Sequence, residues 1–180
     1  MGGSKGARSI NNALIQLLPS LLSKAQVIHL SGSLDFEDVK VKTSGLKPEL
    51  QQNYRLFPYL HAEMGAAFAS ADLALCRAGA STLGELPLYG LPAILVPYPY
   101  AWRYQKVNAD FLVENGAAVL LPNEELEQRL GSTIRELLGN PKELAEMKQK
   151  MHALARPQAA EEIARLLVDL CGRSGRVQAA

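Results

Sequence analysis

Apolar residues recur along the chain with two alternating spacings. Between Ile10 and Leu22 they recur at helical spacing, which predicts a helix over residues 9–23 that Pro19 should kink or split. Further helical stretches cover residues 62–70, 82–89, 105–114, 124–138, 142–155 and 158–171. Short runs that consist mostly of apolar residues, without regular alternation, predict strands at residues 27–30, 54–57, 72–76, 93–96 and 117–121. Residues 33–53 are polar and predict a loop with one helical turn.

This alternation of strands and helices is typical of an α/β protein. In these strands apolar residues follow one another instead of alternating with polar ones, so helices should cover both faces of their sheet. We therefore predict a Rossmann-like, doubly wound parallel sheet. The glycine-rich residues 2–6 resemble a turn between a first strand and a first helix, yet no strand precedes them in this sequence. We therefore expect the first strand to be missing or supplied from elsewhere. Such an unpaired central edge favours strand exchange, from which we expect a dimer.

The composition fits one soluble domain. The chain has 180 residues, of which 48% are hydrophobic and 21% charged, and we expect a domain over residues 1–172 and a disordered tail over 173–180. Its 19 basic and 18 acidic residues give a net charge of +1, which argues against a nucleic-acid partner. The two cysteines cannot build a disulfide framework and fit a cytoplasmic protein. The three histidines lack metal-ligand spacing, so we expect no metal.

The first segment with candidate chemistry is the glycine-rich start, which contains Ser4, Lys5 and Gly6 ahead of a predicted helix. Backbone N–H groups at the start of a helix attract anions, and glycine lets a phosphate approach closely. The spacing matches neither the dinucleotide fingerprint nor the phosphate-binding P-loop. The alternative interpretation is a flexible N-terminal tail.

The second segment runs from Arg77 to Glu85, directly after a predicted strand. Its small residues place backbone N–H groups at the carboxyl edge of a parallel sheet, where open α/β sheets bind ligands. Ser81 or Thr82 could cap the helix, with Glu85 completing a capping box. Glu85 could instead accept hydrogen bonds from the two hydroxyls of a ribose. We favour binding because of the position at the sheet edge.

The third segment covers residues 97–109 and holds the single tryptophan and three of the six tyrosines. Gln105 and Asn108 are three positions apart at a helix start, so their amides should share one face. Paired amides suit sugar hydroxyls, because each amide both donates and accepts hydrogen bonds. The alternative is aromatic packing with an ordinary polar surface.

Taken together and in this order, the segments resemble the C-terminal half of the MurG family, bacterial UDP-GlcNAc transferases of glycosyltransferase family 28. The resemblance covers nearly the whole chain and rests on residues 2–8 with Asn11, then 58–60, 71–73, 77–85, 90–93, 97–99, 105–109, 116–118 and 155–157. Two departures are Lys5, where the family usually has glutamine, and Tyr104, where relatives often have histidine.

The resemblance implies a two-domain GT-B fold whose C-terminal domain, residues 1–172 here, binds UDP-GlcNAc in the cleft between the domains. The implied substrate-binding residues fall into groups by the part of the donor they contact. They are Ser4, Lys5 and Gly6 at the diphosphate; the backbone of Leu60 at the uracil; Ala80, Ser81 and Thr82 at the phosphates and sugar; Glu85 at the ribose; and Gln105 and Asn108 at the GlcNAc. Arg77 matches the motif without an assigned contact.

The activity implied is inverting transfer of GlcNAc to lipid I, which forms lipid II for peptidoglycan at the cytoplasmic face of the membrane. No covalent intermediate, cofactor or metal is required. The family's N-terminal domain, with the acceptor site, the membrane-facing patch and the general base, is missing from this sequence. We therefore assign no catalytic residue and expect the chain alone to bind donor without transferring it. The alternatives are a separate donor subunit of a two-subunit lipid glycosyltransferase and a non-catalytic nucleotide-binding or interaction module.

Overall fold

The structure is a computed structural model that describes residues 1–3 and 6–177. Within this part the helices are α1 (Arg8–Leu21), α2 (Phe36–Thr43), α3 (Pro48–Gln51), α4 (Met64–Ser70), α5 (Ala80–Tyr89), α6 (Trp102–Glu114), α7 (Leu126–Gly139), α8 (Pro141–Ala153) and α9 (Ala159–Val177). The strands are β1 (Val27–Leu30), β2 (Tyr54–Phe57), β3 (Ala74–Cys76), β4 (Ala93–Leu95) and β5 (Ala118–Leu120). Short 3-10 turns occupy Pro99–Ala101 and Asn123–Glu125.

All strand pairs are parallel, but the strands divide between two sheets. Strand β1 pairs with β2, and β4 lies between β3 and β5. The described residues that precede α1, 1–3 and 6–7, form no strand; there the amino nitrogen of Met1 donates to the carbonyl oxygen of Leu75, on the edge of β3, at 2.6 Å. The predicted Rossmann-like α/β class is confirmed.

Helices cover both faces of the three-stranded sheet, which explains why its strands are apolar throughout. All three residues of β4 are fully buried. Ala93 and Leu95 pack in the cluster that α5, α6 and α8 share, whereas Ile94 packs against α1 and α7 on the other face. Because successive side chains of a strand point to opposite faces, a strand covered on both sides needs an apolar residue at every position.

The local structure differs from the sequence-based expectation at three places. The polar residues 33–53 were expected to be a loop with one helical turn, which is wrong for α2, because this helix has eight residues in addition to the single turn of α3. Helix α2 has acidic residues in its first turn and basic residues in its last, which favours the helix dipole, and buried Val39 anchors it. Pro19 does not split α1, because it is exposed and lies in the last turn, where one backbone hydrogen bond is lost at low cost. Helix α9 extends to Val177, past the expected tail boundary at residue 172, and residues 178–180 lie outside the described part.

No helix among the described residues combines the length and apolar character needed to cross a bilayer.

Candidate functional site

A cavity of about 720 Å³ opens at the carboxyl ends of β1, β3 and β4. Its lining includes residues from all three segments with candidate chemistry, namely Gly6, Arg77, Ser81, Thr82, Glu85 and Gln105. Parallel α/β sheets bind ligands at this edge, because the loops that follow adjacent strands converge there. Ser4 and Lys5 were also predicted to bind, but they lie outside the described residues.

The glycine-rich loop turns sharply just before α1. The N–H of Gly6 donates to the carbonyl oxygen of Gly3 at 3.0 Å, and Gly6 has a φ of +87°. A Cβ atom at position 6 would collide with the carbonyl oxygen of Ser31, so only glycine fits. Helix α1 then begins at Arg8, and its N-cap residue Ala7 provides no side-chain hydrogen bond. No described side chain therefore caps the first-turn N–H groups of α1, which lie beside the cavity.

Helix α5 also starts at the cavity without a side-chain cap. Its N-cap is Gly79, whereas Thr82 lies inside the first turn and donates its hydroxyl to the carbonyl oxygen of Arg77 at 3.1 Å. The capping-box interpretation is therefore wrong, because the helix begins two residues before Thr82. Glu85 lines the cavity, and it makes no hydrogen bond or ion pair with any residue that the structure describes.

The two uncapped helix starts give the cavity a clear electrostatic character. Each helix N-terminus carries about half a positive charge together with unpaired N–H donors. The starts of α1 and α5 both face this cavity, so it suits an anion such as a phosphate or diphosphate. Glu85, one turn further along α5, adds a carboxylate that can accept hydrogen bonds from hydroxyl groups.

Arg77 holds the loops around the cavity together. Its Nη1 donates to the carbonyl oxygens of Val96 and Pro97 and to Oδ1 of Asn123, at 3.1, 3.2 and 2.9 Å. Its Nη2 donates to Oγ of Ser9 at 2.8 Å. One guanidinium thus joins the start of α1 to the loops that follow β3, β4 and β5. Burial lowers the pKa of Arg77 relative to an exposed arginine.

The sequence selected Arg77 but missed two of the residues that it contacts, Ser9 and Asn123. Ser9 also donates its hydroxyl to Oδ1 of Asn123, at 2.7 Å. Nothing in the sequence marks either residue, because a serine in a first helical turn and an asparagine after a strand are common surface choices. Their positions along the chain are 114 residues apart, and only the fold brings them together.

The two amides that were expected to share a face divide their roles. Gln105 lines the cavity, where its Oε1 accepts a hydrogen bond from the backbone N–H of Tyr98 at 2.9 Å. This contact leaves the NH2 group of Gln105 for a ligand. Asn108 does not line the cavity; its Nδ2 donates to the carbonyl oxygen of Ala78 at 3.0 Å. Asn108 therefore holds the loop before α5 in place.

Two other predicted residues, Leu60 and Ala80, lie beside the cavity lining rather than in it. Leu60 is buried, and its neighbour Tyr59 lines the cavity instead. The contact predicted for Leu60 is made by its backbone, so a buried side chain there is compatible with that prediction.

The cavity offers no activated thiol. Cys76 borders it, but burial raises the pKa of this thiol to about 11, so it stays protonated at neutral pH. In the described part of the chain, no group of three or more histidine, cysteine, aspartate or glutamate side chains could hold a metal ion.

Known proteins match this chain over most of its length. A transferase from Roseiflexus sp. (strain RS-1) is 44% identical over 189 residues, covering 94% of this chain and 43% of the relative. Its name is UDP-N-acetylglucosamine–N-acetylmuramyl-(pentapeptide) pyrophosphoryl-undecaprenol N-acetylglucosamine transferase. A protein of the same name from Desulforudis audaxviator is 38% identical, covering 97% of this chain and 48% of the relative. The chain thus spans less than half the length of these relatives.

Solved structures agree with the sequence matches. The crystal structure of Acinetobacter baumannii MurG superposes with a TM-score of 0.79 at 29% identity, covering 94% of this chain and 48% of that one. The glycosyltransferase VinC, solved in complex with dTDP, reaches a TM-score of 0.62 at 18% identity over 89% of this chain and 39% of that one, which supports the fold alone. Residues 1–163 match the family model of the glycosyltransferase family 28 C-terminal domain. The chain therefore belongs to glycosyltransferase family 28 and carries its C-terminal domain.

Proposed function

We propose that this chain is the donor-binding half of an inverting N-acetylglucosaminyltransferase. Its donor is UDP-GlcNAc, and the complete enzyme converts lipid I to lipid II in peptidoglycan synthesis. The names of its relatives support this function, and so does a cavity whose polar groups suit a nucleotide sugar. The chain spans less than half of those relatives, so we assign donor binding to it and transfer to the complete enzyme.

The position of Glu85 carries the proposal. Glu85 lines the cavity one helical turn from the start of α5, and its carboxylate has no hydrogen-bond or ion-pair partner among the described residues. A diphosphate at the helix N-terminus would leave the attached ribose about one turn away, within reach of this carboxylate. Two carboxylate oxygens can accept hydrogen bonds from two neighbouring hydroxyls. A nucleotide is the ligand class that presents both groups together.

The remaining contacts follow from this placement. The N–H groups at the starts of α1 and α5, with the hydroxyl of Ser81, would surround the phosphates. Thr82, whose hydroxyl donates to the carbonyl oxygen of Arg77, would support the first turn of α5 beside them. The NH2 group of Gln105 would bind a hydroxyl of the GlcNAc. We retain Ser4, Lys5, Ala80 and the backbone of Leu60 as predicted contacts, whereas Asn108 and Arg77 would act by fixing the loops.

The same geometry would assist the chemistry of transfer. When the acceptor hydroxyl displaces UDP at the anomeric carbon, negative charge grows on the leaving diphosphate. Two helix N-termini with fixed N–H donors stabilise that charge without reorganising. One direct displacement inverts the anomeric carbon. The acceptor and the base that takes its proton would belong to the part of the enzyme that corresponds to the rest of its relatives' length.

Calorimetric titration of the purified chain tests the proposal. We expect saturable binding of UDP and UDP-GlcNAc, and Glu85→Ala should weaken it about tenfold to a hundredfold because hydrogen bonds to a charged group are lost. The ligand 2′-deoxy-UDP should bind the parent chain more weakly than UDP does. Glu85→Ala should bind both ligands equally, because the carboxylate that distinguishes them is gone.

A matched control is Glu146→Ala, which removes an exposed glutamate from α8, away from the cavity. This variant should bind UDP like the parent. Equal affinity of the parent for UDP and 2′-deoxy-UDP, in a chain shown by circular dichroism to be folded, would contradict the role of Glu85. A folded parent chain that binds no uridine nucleotide would overturn the proposed function.

A further inference from the structure

Arg8 is the first residue of α1, and it lines the same cavity. Its side chain is 74% exposed, whereas the Asp35 carboxylate that it contacts is only 5% exposed. Nε and Nη2 of Arg8 both donate to Oδ1 of Asp35, at 2.9 and 2.8 Å. An exposed arginine is thus fixed by a buried carboxylate at the cavity edge.

A chain of buried hydrogen bonds holds Asp35 from behind. Nδ2 of Asn11 donates to Oδ2 of Asp35 at 3.1 Å and to the carbonyl oxygen of Ser31 at 2.9 Å. Since the NH2 group of Asn11 is used in this way, its Oδ1 accepts from Nε2–H of His29, at 3.0 Å. Nδ1 of His29 then accepts from the hydroxyl of Tyr54, at 2.7 Å.

The groups behind Asp35 are uncharged at neutral pH. Desolvation, with a smaller effect from the terminal amino group, lowers the pKa of His29 to about 3. Burial raises the pKa of Tyr54 to about 12. The carboxylate of Asp35 is therefore fixed by neutral dipoles, and its charge is directed to Arg8.

The two cationic side chains that line the described part of the cavity, Arg8 and Arg77, differ in what they leave for a ligand. Arg77 spends both terminal nitrogens on four protein acceptors. Arg8 directs Nε and Nη2 to a single oxygen, and its Nη1 makes no hydrogen bond with a described residue. Arg8 therefore keeps donors for a ligand.

We propose that Arg8 is a further binding residue, which contacts the diphosphate of the nucleotide, and that Asp35 is its positioning residue. The inference rests on the proposed function, since it takes a nucleoside diphosphate as the ligand. A guanidinium next to a helix N-terminus adds a full charge and paired donors to the partial charge already there. A planar guanidinium held in one orientation also matches the oxygens of a phosphate.

A purely structural role would give a different result. In that case the Arg8–Asp35 pair would only join α1 to the start of α2, and its loss would weaken all ligands alike. A phosphate contact affects only ligands that carry phosphate. The ratio of the dissociation constants for uridine and UDP separates the two roles.

The experiment is calorimetry with UDP, with uridine measured by competition against it, on the parent chain, Arg8→Ala and Arg8→Lys. Arg8 is exposed and Asn11 still donates to Asp35 in its absence, so both variants should fold, which circular dichroism checks. We expect Arg8→Ala to raise the dissociation constant of UDP about tenfold and that of uridine less than twofold. Arg8→Lys should recover part of the lost UDP affinity. The control Arg165→Ala removes an exposed arginine from α9 and should change neither constant.

Asp35→Glu tests the positioning role at constant charge. The longer side chain moves the carboxylate, so the uridine-to-UDP ratio should fall about threefold even though no charge is lost. An unchanged ratio in folded Asp35→Glu would overturn the role of Asp35. Equal weakening of UDP and uridine in Arg8→Ala, or no weakening of either, would overturn the role of Arg8. A folded parent that binds no UDP would overturn the proposed function and this inference together.

Discussion

The two sides of the cavity are held in different ways. On one side lie β3, β4 and β5 with the loops that follow them, which we call the three-stranded half. Here one charged side chain, Arg77, donates to four acceptors on three other segments. On the other side lie β1, β2 and the start of α2, the two-stranded half. Here a hydrogen-bonded chain of neutral side chains connects Tyr54 to Asp35.

The packing beneath the two halves differs as well. Strand β4 is fully buried between two layers of helices, whereas Ile28 in β1 is 44% exposed. The three-stranded half therefore has a rigid apolar support, so one arginine suffices to join its loops. The two-stranded half has less apolar support, and specific buried hydrogen bonds fix its geometry instead. The same cavity edge can thus be held by a shared cation or by a chain of dipoles.

Removing the cation should have the largest effect and should break the three-stranded half. Arg77→Ala removes four hydrogen bonds, including those to the carbonyl oxygens of Val96 and Pro97, so we expect the free energy of unfolding to fall by about 3 kcal/mol. Urea denaturation measures this change. Arg77→Lys should lie between Arg77→Ala and the parent, because one ammonium cannot reach all the acceptors.

Arg55→Ala is the matched control for Arg77→Ala. Arg55 also donates to backbone carbonyls, those of Gln52 and Tyr54, but it is exposed and its contacts are local. We expect its loss to change stability by less than about 0.5 kcal/mol. If the Arg77→Ala and Arg55→Ala chains unfold at the same urea concentration, Arg77 does not hold the three-stranded half.

Acid should selectively weaken the two-stranded half. His29 titrates near 6.5 in the unfolded chain but near 3 in the folded chain, so the unfolded chain binds more protons between these values. Stability from neutral His29 is complete above about pH 6.5 and falls as the pH decreases toward 3. Between pH 8 and pH 5, protonation linked to His29 should lower the free energy of unfolding by about 2 kcal/mol.

The comparison with His29→Gln isolates the contribution of this residue. A glutamine can donate to Asn11 and accept from Tyr54 without titrating. The free energy of unfolding of His29→Gln should therefore fall less from pH 8 to pH 5 than that of the parent. His152→Gln, at an exposed position in α8, should keep the pH dependence of the parent. Identical pH dependence of the parent and folded His29→Gln would contradict a depressed pKa of His29.

A smaller effect separates stability from binding. Gly90 ends α5 with a φ of +57°, a left-handed conformation that alanine adopts at a cost. Gly90→Ala should lower the free energy of unfolding by about 1 kcal/mol, measured in urea, without changing UDP affinity. Gly139→Ala, at the end of α7 with open space around it, should not destabilise the chain. Loss of UDP affinity in folded Gly90→Ala would mean that the three-stranded half is less rigid than its packing indicates.

The sequence predicted much of the fold because buried strands leave a strong local signal. Every predicted strand overlaps an observed one. The signal is clearest in β3, β4 and β5, since a strand covered on both faces needs apolar residues in succession. Helix α2 was missed because few of its positions are buried, Val39 among them, so its apolar periodicity is weak. The start of α5 was predicted too late in the chain. Ser81, Thr82 and Glu85 match the sequence pattern of a capping box, but in the structure Gly79 is the N-cap.

The sequence by itself determined the α/β class, the order of the elements and the segments that surround the cavity, because apolar spacing and turn residues act over short distances. Only the tertiary structure decided what individual polar side chains do there. Arg77 is fixed by Ser9 and Asn123, and Asp35 presents Arg8, through contacts between residues far apart in the chain. A hydrogen bond depends on distance and direction in space, and neither quantity is encoded by spacing along the sequence.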